Sequence, residues 1–267
     1  MTLSEELLNH PLIAARYFFP RPDRVAQPFW VQSGDARLAC SYHRPFPQGR
    51  TLIHFHGNGE VAADWEEILP QALEALGLNC LLAEFRGYGA SDGRPQLGFM
   101  LDDVGAVIAA AEAPPERLIL FGRSVGSLFA VHGVSLYPEI GGLILESGVA
   151  DVLERLLLRL SPRELGVTPE QLGGAVAARL DQRRKMEGYG GATLVMHARG
   201  DSLVDVSHGE RLYQWAAGPK RLRIFERGDH NNILFVNQRE YFAEIAAFVA
   251  GLDDQSPKKD LGRGFSG

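Results

Sequence analysis

Residues 117–133 read RLILFGRSVGSLFAVHG. An apolar run leads into Gly122-Arg123-Ser124-Val125-Gly126, and Leu128, Phe129 and Val131 follow with small residues between them. That order predicts a strand, a tight turn and a helix. A serine at the top of such a turn sits on a strained backbone, which projects its Oγ out of the sheet. The flanking glycines let strand and helix approach without a Cβ clash. The same five residues also fit an ordinary loop that contains a serine, so the surrounding chain has to decide.

Working outward, apolar strands alternate with helical periodicity, which predicts a mostly parallel sheet covered by helices on both faces. Phe29–Val31 and Arg37–Tyr42 flank Ser33-Gly34-Asp35 as an antiparallel edge hairpin. Thr51–Phe55 is the first buried strand and runs into His56-Gly57-Asn58-Gly59. A helix over Val61–Leu76, stopped by Gly77, precedes a strand over Leu78–Phe85 and the turn Arg86–Ser91. A helix over Gly98–Ala111 comes before the serine strand, and Gly142–Ser147 is the strand after its helix. Two helical segments, Val152–Leu160 and Thr168–Met186, then stand where the alternation asks for one, so 152–190 reads as an inserted lid. Strands at Thr193–His197 and Arg221–Phe225 and a helix over Arg239–Phe248 complete the pattern. The expected organisation is an N-terminal arm (1–27) ended by Pro20-Arg21-Pro22, one α/β domain (28–251) and a polar, disordered tail (252–267).

The composition agrees with one domain: 267 residues, 45% of them hydrophobic, are enough for a single large α/β core. A formal charge of −6 gives no basic footprint for nucleic acid. Cys40 and Cys80 lie inside apolar strands and read as buried hydrophobes. Glu5 and Glu6 stand where a signal peptide needs positive charge, and no stretch approaches the length of a membrane span. The expectation is a soluble, cytoplasmic protein without an integral membrane segment.

In parallel sheets, ligands sit at the carboxyl ends of the strands. Ser124 needs a base within hydrogen-bond reach, and that base needs a group to orient it. His230, just past the last strand in Gly228-Asp229-His230-Asn231, is the chosen base. Asp201, after the preceding strand, is the chosen acid, with Asp205 and Glu146 as rivals at the same edge. An oxyanion formed at the attacked carbonyl needs preorganised N–H donors, for which the backbone amides of Val125 and Asn58 are placed. A zinc reading of His54-x-His56 lacks further ligands at metal spacing.

HGNG after a strand, FRGYGASDG, GRSVG, HARGDSLV and GDHNN, in this order, resemble the α/β-hydrolase superfamily of serine hydrolases, within it a group of small esterases, acyl thioesterases and depalmitoylases. The resemblance covers roughly residues 28–250. It implies an α/β-hydrolase fold with a short helical lid, and Ser124 as nucleophile, His230 as base, Asp201 as acid and the Asn58 and Val125 amides as oxyanion hole. It implies no cofactor and no metal, and a small acyl ester or thioester as partner. Ala198 and Val206 replace a glycine and a proline usual around the acid. The implied activity is hydrolysis of an ester or thioester through an acyl-serine; a non-catalytic binding protein and a peptidase or amidase of the same fold are the alternatives. Leu153, Leu156, Leu157 and Leu160 are expected to pack on the core. Arg155, Arg159, Arg163, Arg183 and Arg184 make the lid basic, as a solvent face or as a feature suited to an anionic substrate such as an acyl-CoA.

Overall fold

The computed structural model describes residues 3–254; the expected disordered tail lies, beyond Asp254, outside the described residues. Two short helices, α1 (Leu3–Leu8) and α2 (Pro11–Tyr17), form the arm. Pro11 starts a new helix and His10 caps it, its Nδ1 accepting from Leu12 N at 3.1 Å. Strands β1 (Phe29–Ser33) and β2 (Ala36–His43) form the hairpin about Gly34, whose φ of 55° supplies the left-handed turn residue. Next come β3 (Thr51–Phe55), α3 (Leu69–Glu74), β4 (Asn79–Ala83), α4 (Leu97–Ala110), β5 (Leu118–Arg123), α5 (Gly126–Leu136) and β6 (Gly142–Glu146).

The segment after β6 holds α6 (Val152–Leu157), α7 (Pro169–Leu180) and α8 (Gln182–Glu187). Then follow β7 (Ala192–Ala198), α9 (Val206–Trp215), β8 (Lys220–Phe225), α10 (Ile233–Val236) and α11 (Gln238–Asp254).

Among the described residues the eight strands form one sheet in the order β1-β2-β4-β3-β5-β6-β7-β8. Strand β2 pairs antiparallel with both β1 and β4, whereas β4, β3 and β5 through β8 pair in parallel. Alternate residues feed opposite cores, as the strand period requires. Leu118 and Leu120 of β5 pack with α4 and α5, and Ile119 and Phe121 with α3 and α11. Cys40 and Cys80 are buried and unpaired.

Several elements differ from expectation for local reasons. The helix expected over Val61–Leu76 is a 3-10 turn, Ala62–Trp65, followed by α3, because Pro70 has no N–H for a continuous helix and its ring crowds the preceding turn. The expected Thr168–Met186 helix breaks at Asp181, whose side chain accepts from Arg184 N and starts α8. Helix α9, absent from the sequence reading, starts at Asp205, which accepts from Ser207 N, and buries Leu212. The last helix runs to Asp254, so residues 252–254, placed in the tail from sequence, are helical. Of the expected apolar stripe, Leu156 on α6 and Leu160 beyond its end are buried, whereas Leu157 is 47% exposed.

Candidate active site

Ser124 is held at φ 52°, a left-handed conformation that costs an L-residue about 1–2 kcal/mol. Close packing maintains it. A Cβ on Gly126 would lie 2.0 Å from the Phe55 carbonyl oxygen, and one on Gly122 would lie 2.5 Å from Ser127 Cα. The Ser124 N–H donates to the Glu146 carbonyl at 2.8 Å, and the Ser124 carbonyl accepts from Ser127 N and Oγ at 3.0 and 2.6 Å. Strand end and helix start are thereby locked around the serine.

His230 Nε2 lies 2.8 Å from Ser124 Oγ, and His230 Nδ1 lies 2.8 Å from Asp201 Oδ2. With Nδ1–H donating to the carboxylate, Nε2 is left to accept the hydroxyl proton. The Asp201 Oδ1 accepts from Leu203 N at 3.0 Å and Val204 N at 2.8 Å, and His197 Nε2 stands 3.3 Å from Oδ2. Burial opposes ionisation of Asp201, but the hydrogen bonds from His197, His230 and Val204 outweigh it and hold the carboxyl far below the usual range. The rivals sit elsewhere. Asp205 caps α9 at the surface, and Glu146 is engaged by Arg123 and Tyr241.

Arg123, immediately before the serine, was not singled out from the sequence. Its Nε donates to Glu146 Oε1 at 3.1 Å, its Nη1 pairs with Glu60, and its Nη2 donates to the His230 carbonyl at 2.7 Å. Glu146 also accepts from Tyr241 Oη at 2.5 Å. Burial pushes the Glu146 carboxyl up and lowers the tendency of Arg123 to hold its proton; the attraction of the guanidinium to Glu146 and Glu60 outweighs this for Arg123. The signal was in the register: Arg123 and Glu146 end adjacent parallel strands as direct partners.

The loop after β3 is fixed from beneath. Buried His56 Nε2 meets Glu84 Oε1 at 2.8 Å, and Glu84 Oε2 accepts from Ala62 N at 3.0 Å. The Asn58 side chain is tied to the arm: Nδ2 donates to the Tyr17 carbonyl, and Oδ1 accepts from Phe19 N and Tyr88 Oη, both at 3.1 Å. Neither the Asn58 nor the Val125 backbone N–H has an acceptor among the described residues. His54, of the zinc reading, packs between the rings of Trp65 and Phe121.

Ser124, Val125, Asn58 and His230 all line a cavity of about 230 Å³. Buried Ile13, Phe18, Leu97, Leu128, Val149, Val152 and Leu156 wall its inner part. Phe19, Leu158 and Leu203, 47%, 64% and 48% exposed, mark its open end together with Arg155 and Arg159. The arm and α6 therefore both contribute to the walls. They are bonded to each other: Tyr17 Oη lies 2.6 Å from both the Arg155 and the Leu156 carbonyl oxygens and shares its one proton between them, and beyond α6 Glu164 pairs with Arg16 at 2.7 Å. No arm contribution to the site was foreseen from sequence.

The sheet order and the serine at the β5–α5 turn place the chain among the α/β hydrolases. Residues 47–182, just over half of the chain, match the family described as serine aminopeptidase, S33, and the chain belongs to that family. Escherichia coli O157:H7 YfhR is 30% identical over 192 residues, 67% of this chain and 62% of YfhR. The chain thus matches under two thirds of that relative's length. The alpha/beta hydrolase domain-containing protein 17B of Xenopus laevis is 23% identical over 219 residues, 80% of this chain and 71% of that protein. Among solved structures, Est1E from Butyrivibrio proteoclasticus, with ferulic acid bound, superposes with a TM-score of 0.67 at 17% identity, covering 83% of this chain and 99% of Est1E. The Exiguobacterium antarcticum esterase EaEST gives 0.61 at 21% identity, covering 85% and 99%. Those two likenesses are of fold. No helix among the described residues is long and apolar enough to cross a membrane.

Proposed function

We propose that the protein hydrolyses a carboxylic ester or thioester through an acyl-Ser124 intermediate. The observation that carries the reading is the unbroken chain from Ser124 Oγ through His230 to Asp201, at 2.8 Å for each link, in a cavity whose inner part is apolar. Ser124 Oγ attacks the substrate carbonyl carbon while its proton passes to His230 Nε2. The resulting oxyanion is met by the Val125 and Asn58 amides, each such donor contributing about 2.7–4 kcal/mol of barrier lowering. Collapse breaks the bond from carbon to the leaving oxygen or sulfur, which takes the proton from His230. Water, giving a proton to His230, then attacks the acyl-serine, and the same proton returns to Ser124 as the acid departs.

In this reading 28–251 is the catalytic domain, the arm completes its cavity, and 152–190 is the lid. Within that stretch α8 packs on α5 as an ordinary crossover helix, with buried Met186 behind it, so α6 and α7 form the lid proper.

The aminopeptidase activity of the family description would call for a carboxylate to hold a substrate's protonated amino terminus. Among the described residues lining the cavity there is neither Asp nor Glu. This favours acyl esters over peptides. The test is fluorophosphonate labelling with peptide mapping, alongside turnover of p-nitrophenyl esters. Label on Ser124, lost in His230→Ala, with hydrolysis abolished in a folded Ser124→Ala, is expected. Hydrolysis that survives Ser124→Ala overturns the proposal, and an unlabelled, inactive protein points to the binding-protein alternative.

A further inference from the structure

The cavity is cationic in a chain of net charge −6. Three arginines line it, and no carboxylate does among the described residues. Arg123 is neutralised by Glu146 and Glu60. Arg155 and Arg159 are not neutralised, since neither has a carboxylate within 4.0 Å among the described residues. Arginines of the arm and of the later helices that do not line the cavity do: Arg16 on Glu164 at 2.7 Å, Arg179 on Asp102 at 2.6 Å, Arg183 on Glu187 at 2.8 Å and Arg211 on Glu154 at 3.2 Å. Arg163 is also unpaired, but it does not line the cavity.

Arg155 stands on α6 and Arg159 in the turn just beyond it, and both line the cavity. Arg159 is preordered: Nη1 donates to the Arg16 carbonyl at 3.0 Å, and its carbon Cζ lies 5.6 and 5.8 Å from the Tyr17 and Phe19 ring centroids. Arg155 is half-buried at the cavity wall. Arg159 is exposed at the cavity mouth and ordered by these contacts, while the half-buried Arg155 guanidinium, left without an anion, gains from a ligand that supplies one.

The two ends of the cavity also differ. Its buried end is apolar and suits an acyl chain, so the leaving group must emerge past Phe19, Leu158 and Leu203, where the arginines stand. We infer that Arg155 and Arg159 recognise a phosphate on the leaving group, so that the substrate is an acyl ester or thioester of a phosphorylated alcohol or thiol. This rests on the acyl-serine reading and narrows it to one substrate class. The recognition is electrostatic and bidentate, which arginine does better than lysine.

The test compares matched substrates that share one acyl chain and differ in phosphate. For thioesters these are hexanoyl-coenzyme A and hexanoyl-N-acetylcysteamine; for oxyesters, hexanoyl-glycerol-phosphate and hexanoylglycerol. The wild type is expected to favour the phosphorylated member by at least roughly ten-fold in kcat/KM, a preference that shrinks as salt is raised. The pair showing the larger preference identifies nucleotide thioester or phosphoglyceride as the source. Arg155→Gln with Arg159→Gln should collapse the preference toward unity, and Arg155→Lys with Arg159→Lys should keep part of it. An equal kcat/KM for both members of each pair in the wild type, or an equal loss on both in the glutamine variant, overturns this inference while the acyl-serine reading stands. If no member is hydrolysed and Ser124 takes no label, both fall.

Discussion

The guanidinium of Arg123 donates through Nη2 to the backbone carbonyl of His230 at 2.7 Å. The residue next to the serine therefore holds the loop that carries the histidine, and the distance between Ser124 and His230 is maintained by backbone and guanidinium together. Replacing Arg123 with Met removes that tie and leaves Glu146 buried beside no cation. An uncompensated buried charge of this kind costs about 3–5 kcal/mol, which urea unfolding should register. Adding Glu146→Gln should recover much of the stability but not the rate of fluorophosphonate labelling. Equal recovery of both would show that Arg123 has no part in placing His230.

The strain at Ser124 yields a second prediction. Ser124→Ala keeps a Cβ at φ 52°, whereas Ser124→Gly releases it. The glycine variant should unfold later than the alanine variant by about 1 kcal/mol, with both inactive. Gly126→Ala should fail to give a native fold, because its Cβ would sit 2.0 Å from a backbone oxygen and the strand cannot retreat. Thermal melts of the three decide it.

Tyr17 couples the arm to α6. Its hydroxyl meets two carbonyls of α6 that also accept backbone N–H groups, so Tyr17→Phe should cost roughly 1 kcal/mol by removing the tie between arm and α6. Loss of order there widens the cavity between arm and α6. The expected result is a higher KM for long acyl esters with a smaller change for acetyl esters. A uniform effect across chain lengths would contradict a wall role for the arm.

Acid sensitivity follows from His132. Burial, reinforced by the adjacent charges of Lys185, whose Nζ is 3.0 Å from His132 Nδ1, and of Arg179, pushes its pKa down to about 3. The unfolded value is near 6.5, so the neutral ring's contribution is complete above about pH 6.5 and is lost as pH falls from there toward 3. His54, driven well below the ordinary value by burial and then by His56 and Arg123, adds a loss of the same sign. His132→Gln should therefore lose less stability than the wild type between about pH 7 and pH 5 in urea unfolding. Parallel curves would show that His132 is not the titrating group.

The strand-turn-helix at 117–133, the parallel layering and the residues Ser124, Asp201 and His230 were legible from sequence. Each is signalled locally: by an apolar run, by a glycine pair at fixed spacing, or by a polar residue just after a strand. Tertiary structure decided which acid meets the histidine. Asp201, Asp205 and Glu146 all follow strands at one edge, and only the fold places Asp201 at His230 while Arg123 and Tyr241 occupy Glu146. It also decided that Tyr17, Phe18 and Phe19 of the arm wall the cavity, since contacts between residues more than a hundred positions apart leave no periodicity in either segment. The basic character of the 152–190 stretch was plain in composition, but which arginines face the cavity and which are paired depends on where carboxylates from other elements come to lie.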